Sequence, residues 1–159
     1  MKNNNAVWGI DPGINGALAL FFPEDHGIEI FDMPIMEVKK KKTISAALVA
    51  DILKQHEAPV FIENVHAMPN QGVTSMFNFG KGFGILIGVV AGLNYQLTTV
   101  QPLAWKKALK VPSGKDGSRE RATQLLPASS QKFARKKDDG RAEASLISYY
   151  GFTFAQSVE

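Results

Sequence analysis

The stretch AVWGIDPGINGALALFF, residues 6–22, decides the fold. Its first five residues, Ala6 to Ile10, are apolar and bounded by a polar tail and the turn sequence Asp11-Pro12-Gly13, which reads as a strand buried near the centre of a sheet. Ala17 to Phe22 reads as a second strand. Gly13 and Gly16 suit the tight reversal between them, so the two are expected to pair as a hairpin. Asp11 thus stands at a strand end, where turn chemistry alone often places an aspartate.

Working outward, Gly27 to Asp32 alternates Ile28 and Ile30 after a turn signal and reads as a third antiparallel strand. Beyond the lysine run Lys39 to Lys42, the residues Ile44, Leu48, Val49, Ile52 and Leu53 recur at helical spacing. They predict a helix from Thr43, a suitable N-cap, to about His56. Pro59 introduces Val60 to Ile62, a short apolar strand that again ends on an acid, Glu63. From Thr74 to Asn94 the chain predicts a long apolar helix with Gly80, Gly84, Gly88 and Gly92 at intervals of four. Each glycine costs a helix about 1 kcal/mol relative to alanine, so the stripe is expected to pack tightly against a neighbour. Gln96 to Val100 reads as a fifth strand and Pro102 to Leu109 as a short helix. A polar loop at Ser113 to Gly117 precedes helices at Ser118 to Leu126 and Gly140 to Tyr150.

Three strands, then helix, strand, helix, strand and further helices describe an α/β fold. Its five-stranded mixed sheet begins with three antiparallel strands, continues through crossovers and is flanked by helices. This order resembles the RNase H-like architecture. The 159 residues suit one domain, read as 1–159.

Composition narrows the function. With no cysteine, disulfides, zinc-thiolate sites and cysteine nucleophiles are excluded, which agrees with a cytoplasmic protein. The N-terminus carries no apolar stretch of signal-peptide length. The most apolar segment, Ile85 to Leu93, is too short to cross a bilayer, so no membrane partner is expected. The net charge of +3 is modest, but its lysines and arginines are grouped. Lys39, Lys40, Lys41 and Lys42 form one cluster and Lys132, Arg135, Lys136 and Lys137 another. Each alone reads as a solvated face; two together favour a polyanion.

Five acids carry the chemistry: Asp11 and Glu63 at strand ends, and Asp138, Asp139 and Glu143 around the start of the last helix. In the expected sheet the first and fourth strands are neighbours, so Asp11 and Glu63 emerge side by side. At about 100° per residue, Asp139 and Glu143 lie roughly 40° apart on one helical face, whereas Asp138 points about 140° from Glu143. Asp139 is therefore preferred as a metal ligand, with Asp138 as its rival or as a helix cap. Clustered carboxylates repel unless a hard cation such as Mg²⁺ joins them, and two such ions about 4 Å apart promote phosphodiester hydrolysis.

Four segments together resemble the RuvC-like Holliday junction resolvases, especially their phage and poxvirus branch: GIDPGINGALALF from Gly9, FIENVHAMPNQGVTSMFNFG from Phe61, VQPLAWKKAL from Val100 and KKDDGRAEASLISYYG from Lys136. They span most of the chain in the expected order. The resemblance implies a metal-dependent DNA endonuclease that resolves four-way junctions. Asp11, Glu63, Glu143 and one of Asp138 and Asp139 would hold two Mg²⁺ or Mn²⁺ ions. It further implies a homodimer joined through the glycine-rich helix 74–94, and a lysine, Lys106, near the scissile phosphate. Lys107 competes with Lys106 on charge alone. Phe77 and Phe79 are candidates to stack against unpaired bases at the junction, with a core position as the alternative. His66, three residues after Glu63, either orients water or phosphate or is an ordinary loop residue. Lys39 to Lys42, Lys107, Lys115, Arg119, Arg121 and the cluster of Lys132, Arg135, Lys136 and Lys137 are expected to face the DNA arms. Other readings compete: a related nuclease acting on flaps or RNA, a catalytically silent junction binder, and an ATPase of the sugar-kinase type. The last would need a second domain.

Overall fold

The computed structural model describes residues 5–155. Strands β1 (Val7–Asp11), β2 (Ala17–Phe22) and β3 (Gly27–Asp32) form an antiparallel meander, with Asp11 opposite Ala17 and Phe22 opposite Gly27. A separate hairpin of β4 (Ile35–Val38) and β5 (Lys41–Ile44) follows, then helix α1 (Ala46–Leu53). Strand β6 (Val60–Glu63), helix α2 (Val73–Gly92) and strand β7 (Leu97–Val100) come next. Both strands join the main sheet in parallel, giving the order β3-β2-β1-β6-β7. Helices α3 (Pro102–Ala108), α4 (Gly117–Leu125) and α5 (Asp139–Tyr150) complete the fold, with 3₁₀ turns at Pro127–Phe133 and Lys136–Asp138 before α5.

The sheet is covered on both faces, and the two-residue period of its strands divides the core accordingly. Val7, Ala17, Ala19 and Phe21 face α5, Trp105 and Phe133. Trp8, Ile10, Leu18 and Leu20 face α1 and α2 through Val49, Leu53, Leu86 and Val90. Gly9 interrupts the first set for a steric reason: a Cβ there would collide with the Ala144 carbonyl and the Ser148 backbone. Helix α5 can therefore lie directly on β1, the strand that ends in Asp11.

Two expectations are corrected, the bounds of the helix after the lysine run and the length of the apolar stretch. The lysine run is part of a hairpin: Lys39 and Lys40 form its turn at φ 49° and 63°, and Lys41 and Lys42 pair with Val38 and Glu37. Because Thr43 and Ile44 pair with Met36 and Ile35, they cannot open the helix. Ser45 caps it instead, its hydroxyl accepting from the Leu48 N–H at 3.3 Å. The helix ends at Leu53, short of His56. Among the described residues, Gly82 is the one α2 glycine that meets a neighbour, Ile44, and nothing lies within 4 Å of a Cβ placed at Gly80, Gly84, Gly88 or Gly92, so the packing partner expected for the stripe is not found among them. The apolar stretch also exceeds Ile85 to Leu93. With a mean hydropathy of 1.4, α2 is long and apolar enough by length and composition to cross a membrane, while Leu86 and Val90 are buried in the core beneath the sheet.

Candidate metal centre and nucleic-acid interface

Parallel pairing of β1 with β6 sets Ile10 beside Ile62, so the next residue of each strand, Asp11 and Glu63, leaves the sheet at the same end. Glu143 reaches them from α5, one turn past the helix start. A carboxylate oxygen from each of Asp11, Glu63 and Glu143 lies within 4.8 Å of the others. Gly140 makes this approach possible, since a Cβ there would strike the Asn15 carbonyl and Gly16 in the β1–β2 turn.

The three carboxylates are costly neighbours without a cation. Burial, then the charges of Glu143 and Glu63, push the Asp11 carboxyl well above its ordinary range. Burial and the charge of Glu63 raise Glu143 as well, opposed by Lys106 and by a hydrogen bond from Ser118. Lys106 Nζ stands 3.9 Å from Glu143 Oε1, and Ser118 Oγ donates to the same oxygen at 3.3 Å. One nearby ammonium does not balance three carboxylates, and an all-oxygen donor set is what a hard divalent cation takes. The residues present therefore fit such a metal.

The adjacent aspartates at the start of α5 part company. Asp138 is buried; its carboxylate accepts from the Arg135 backbone N–H and guanidinium, both at 2.9 Å, and lies 3.7 Å from Arg141 Nη1. The hydrogen bonds from Arg135 hold its carboxyl below the ordinary range. Arg141 in turn forms a two-pronged pair with Asp32 on β3, at 2.7 and 2.8 Å. Asp138 is thus held at the helix start by two arginines. Asp139 is half exposed and lines the cleft with Asp11 and Glu143, its carboxylate 3.4 Å from Arg119 Nε.

The cleft has a volume of about 630 Å³. Its walls include the β1–β2 turn, Phe79, Lys106, Lys115 and the polar loop before α4. Phe79 lies beside Gly13, whereas Phe77 is 70% exposed and does not line the cleft. Lys107, Lys136 and Lys137 are exposed, as are Lys39 to Lys42 on their hairpin. Arg119, Arg121, Lys132 and Arg135 are instead engaged within the chain. Arg119 donates to the Phe133 and Ala134 carbonyls and pairs with Asp116, Arg121 donates to Leu109 O and Gln124, and Lys132 donates to Ile28 O. His66 has a partner that its sequence neighbourhood does not reveal, Gln101, at 2.8 Å.

Two contacts were missed by sequence reasoning. Trp105 donates its indole N–H to Glu63 at 2.8 Å, and Ser118 donates to Glu143. Both link residues far apart in the chain, and in sequence each reads only as a helix residue.

Neither a protein-family model nor a curated protein matches the sequence. Solved structures do. T. thermophilus RuvC in complex with a Holliday junction substrate is similar over 96% of each chain, at 16% identity and a TM-score of 0.64. A further Thermus thermophilus RuvC structure is similar over 92% of this chain and 95% of that one, at 18% identity and a TM-score of 0.54. The yeast mitochondrial Holliday junction resolvase Ydc2 is similar over 92% of this chain and 77% of that one, at 15% identity and a TM-score of 0.51. The chain has the RNase H-like fold of RuvC-type resolvases.

Proposed function

We propose that this protein is a metal-dependent endonuclease that resolves four-way and related branched DNA by paired nicks. The observation that carries the reading is the convergence of Asp11, Glu63 and Glu143 within 4.8 Å at the sheet end, on a fold shared with junction resolvases. Asp139, on the same cleft wall, is the fourth ligand in this reading, and Asp138 is released from that role by its arginines.

Two Mg²⁺ ions, for which Mn²⁺ can substitute, would supply activation of the attacking water and stabilisation of the leaving 3′ oxygen. The chain's own groups do the rest. Asp11, Glu63, Glu143 and Asp139 concentrate negative charge where the ions bind and exclude other anions until they do. Lys106, in the cleft wall 3.9 Å from Glu143, is placed to meet a non-bridging phosphate oxygen as charge builds on it. Lys115 at the cleft and Lys39 to Lys42, Lys107, Lys136 and Lys137 on the surface engage phosphates of the DNA arms. Phe79, beside Gly13 at the cleft, stacks on an unpaired base near the cut, and Phe77, two residues earlier on α2 and largely exposed, contacts the junction centre.

Paired nicks need two sites. The exposed stripe of Gly80, Gly84, Gly88 and Gly92 allows close approach of a second helix, and the reading includes a homodimer joined there about a two-fold axis.

The test is cleavage of a synthetic four-way junction. Nicking is expected with Mg²⁺ or Mn²⁺, none with a chelator, and none with Asp11→Asn, which should still bind the junction. Undiminished cleavage by that variant would sink the metal assignment. Competition among four-way, flap, Y-shaped and RNA/DNA hybrid substrates then defines the preferred branch.

A further inference from the structure

Trp105 is wholly buried on α3, and its one polar atom faces the acidic cluster: the indole N–H donates to Glu63 Oε2 at 2.8 Å. Glu63 and Trp105 lie 42 residues apart, so this bond is made by the tertiary fold. It has company. The Asn64 N–H donates to the Val100 carbonyl at 2.8 Å, and His66 Nε2 lies 2.8 Å from Gln101 Oε1. The segment leaving β6 is thereby tied to the segment opening α3 at three points in succession. Lys106 completes the arrangement, its Nζ 5.3 Å from the centre of the Trp105 ring and 3.9 Å from Glu143 Oε1.

A buried indole N–H needs an acceptor, and a carboxylate is a strong one because the bond is charge-assisted. Occupying one Glu63 oxygen in this way removes the freedom of that side chain to rotate away from its acidic neighbours. The ring face attracts the ammonium of Lys106, which limits where that lysine rests. Phenylalanine would fill nearly the same volume and offer a ring, but no donor.

We propose that Trp105 is a positioning residue of the acidic site, its indole N–H holding the Glu63 carboxylate toward Asp11 and Glu143 while its ring seats Lys106 beside them. The inference rests on the metal-site reading above and adds a residue to it.

The test compares wild-type protein with Trp105→Phe. Mn²⁺ binding is measured calorimetrically without DNA, and junction nicking is measured across a range of Mg²⁺ concentrations. Trp105→Phe should bind Mn²⁺ about 10-fold to 100-fold more weakly, the usual effect of removing a hydrogen-bond partner from a metal ligand. Its nicking should need correspondingly more Mg²⁺ and recover in part when Mg²⁺ is raised. Unchanged Mn²⁺ affinity in a folded variant overturns the proposal.

Should the variant fail to fold, the wild-type protein still decides. It has two tryptophans, Trp8 and Trp105, and the Trp8 indole N–H donates to the remote His56 carbonyl. Substoichiometric Mn²⁺ should broaden one indole N–H resonance and spare the other; broadening of neither overturns the proposal. A wild-type chain that binds Mn²⁺ without cutting any branched DNA would defeat the nuclease reading, yet leave the Trp105 effect on Mn²⁺ affinity measurable.

Discussion

Asp11 and Glu63 enter the acidic site from strand ends, whereas Asp139 and Glu143 approach it from the start of a helix, and the two regions are held in place differently. The strand acids inherit their position from backbone pairing: once Ile10 lies beside Ile62, the next residues must emerge together. The helix acids depend on side chains. Arg135 and Arg141 grip Asp138, Arg141 also grips Asp32 on β3, and this chain of ion pairs sets where α5 begins. Backbone pairing tolerates substitution of the acid itself, but a side-chain anchor does not. Function and stability should therefore separate at the strand ends and become entangled at the helix start.

The largest effect expected from that contrast is at Asp11. Asp11→Asn should lower junction nicking roughly a thousandfold, ~4 kcal/mol of transition-state stabilisation. The fold should remain, because burial and its acidic neighbours already disfavour the charged form of Asp11. A calorimetric melt beside the nicking assay checks both halves. A large drop in stability would show that the strand end is not the independent platform described.

Next in size is the comparison of neighbours. Asp138→Ala should cost about 2–3 kcal/mol of folding stability, less than the full penalty for a buried ion pair because Arg135 is half exposed and partly screened by solvent. Asp139→Ala should change stability by no more than about 0.5 kcal/mol while lowering Mn²⁺ affinity and nicking. Denaturant melts and Mn²⁺ titration distinguish the two, and the reverse pattern would return the metal to Asp138.

These two aspartates also mark where sequence reading stopped. The central strands, their order and the joint emergence of Asp11 and Glu63 were legible, because apolar runs bounded by glycine, proline and acids report backbone pairing directly. Helical periodicity placed Glu143 and favoured Asp139, but it assigned no partner to Asp138, since Arg141 is also held by a residue 109 positions away. The hairpin at Ile35 to Ile44 was hidden for a different reason. Its turn is Lys39-Lys40, two lysines in the left-handed region, without the glycine or asparagine that usually announces such a turn. The glycine stripe demands a packing partner by its helix cost alone, and among the described residues none is found within the chain, which leaves the expected dimer contact as the one to test.

An effect of comparable size concerns pH, where the Asp138 anchor and the acidic cluster should respond with opposite sign. The Asp138 carboxyl is held low, so its contribution to stability is present above the ordinary aspartate range and is lost as pH falls through its folded value. Asp11 and Glu143 are raised, so their contribution is greatest below the ordinary carboxylate range and is lost as pH rises through their folded values. In the presence of a chelator the melting temperature should fall as pH rises through that upper window. Mn²⁺ at 100 times its dissociation constant should then add ~2.7 kcal/mol, roughly 5–10 °C. The increment should shrink in acid. A metal increment independent of pH would mean that the raised carboxyls are not the groups that bind.

The smallest expected effect lies at Ser118, which joins the helix-borne side of the site to α4. Its hydroxyl is a neutral donor at 3.3 Å from Glu143 Oε1, so it assists the charged carboxylate without anchoring the fold. The bond lowers the Glu143 carboxyl, against the larger upward push of burial and Glu63. Ser118→Ala should therefore move the pH midpoint of Mn²⁺ binding upward and weaken binding at neutral pH by about 2-fold to 5-fold, the equivalent of ~0.5–1 kcal/mol for one lost hydrogen bond. Stability should barely change in metal-free protein, since the freed carboxylate remains partly exposed to water. If Ser118→Ala instead destabilised the fold as much as Asp138→Ala, α4 would belong to the anchoring network, and the division between a helix start held by arginines and a site merely tuned by its neighbours would have to be redrawn.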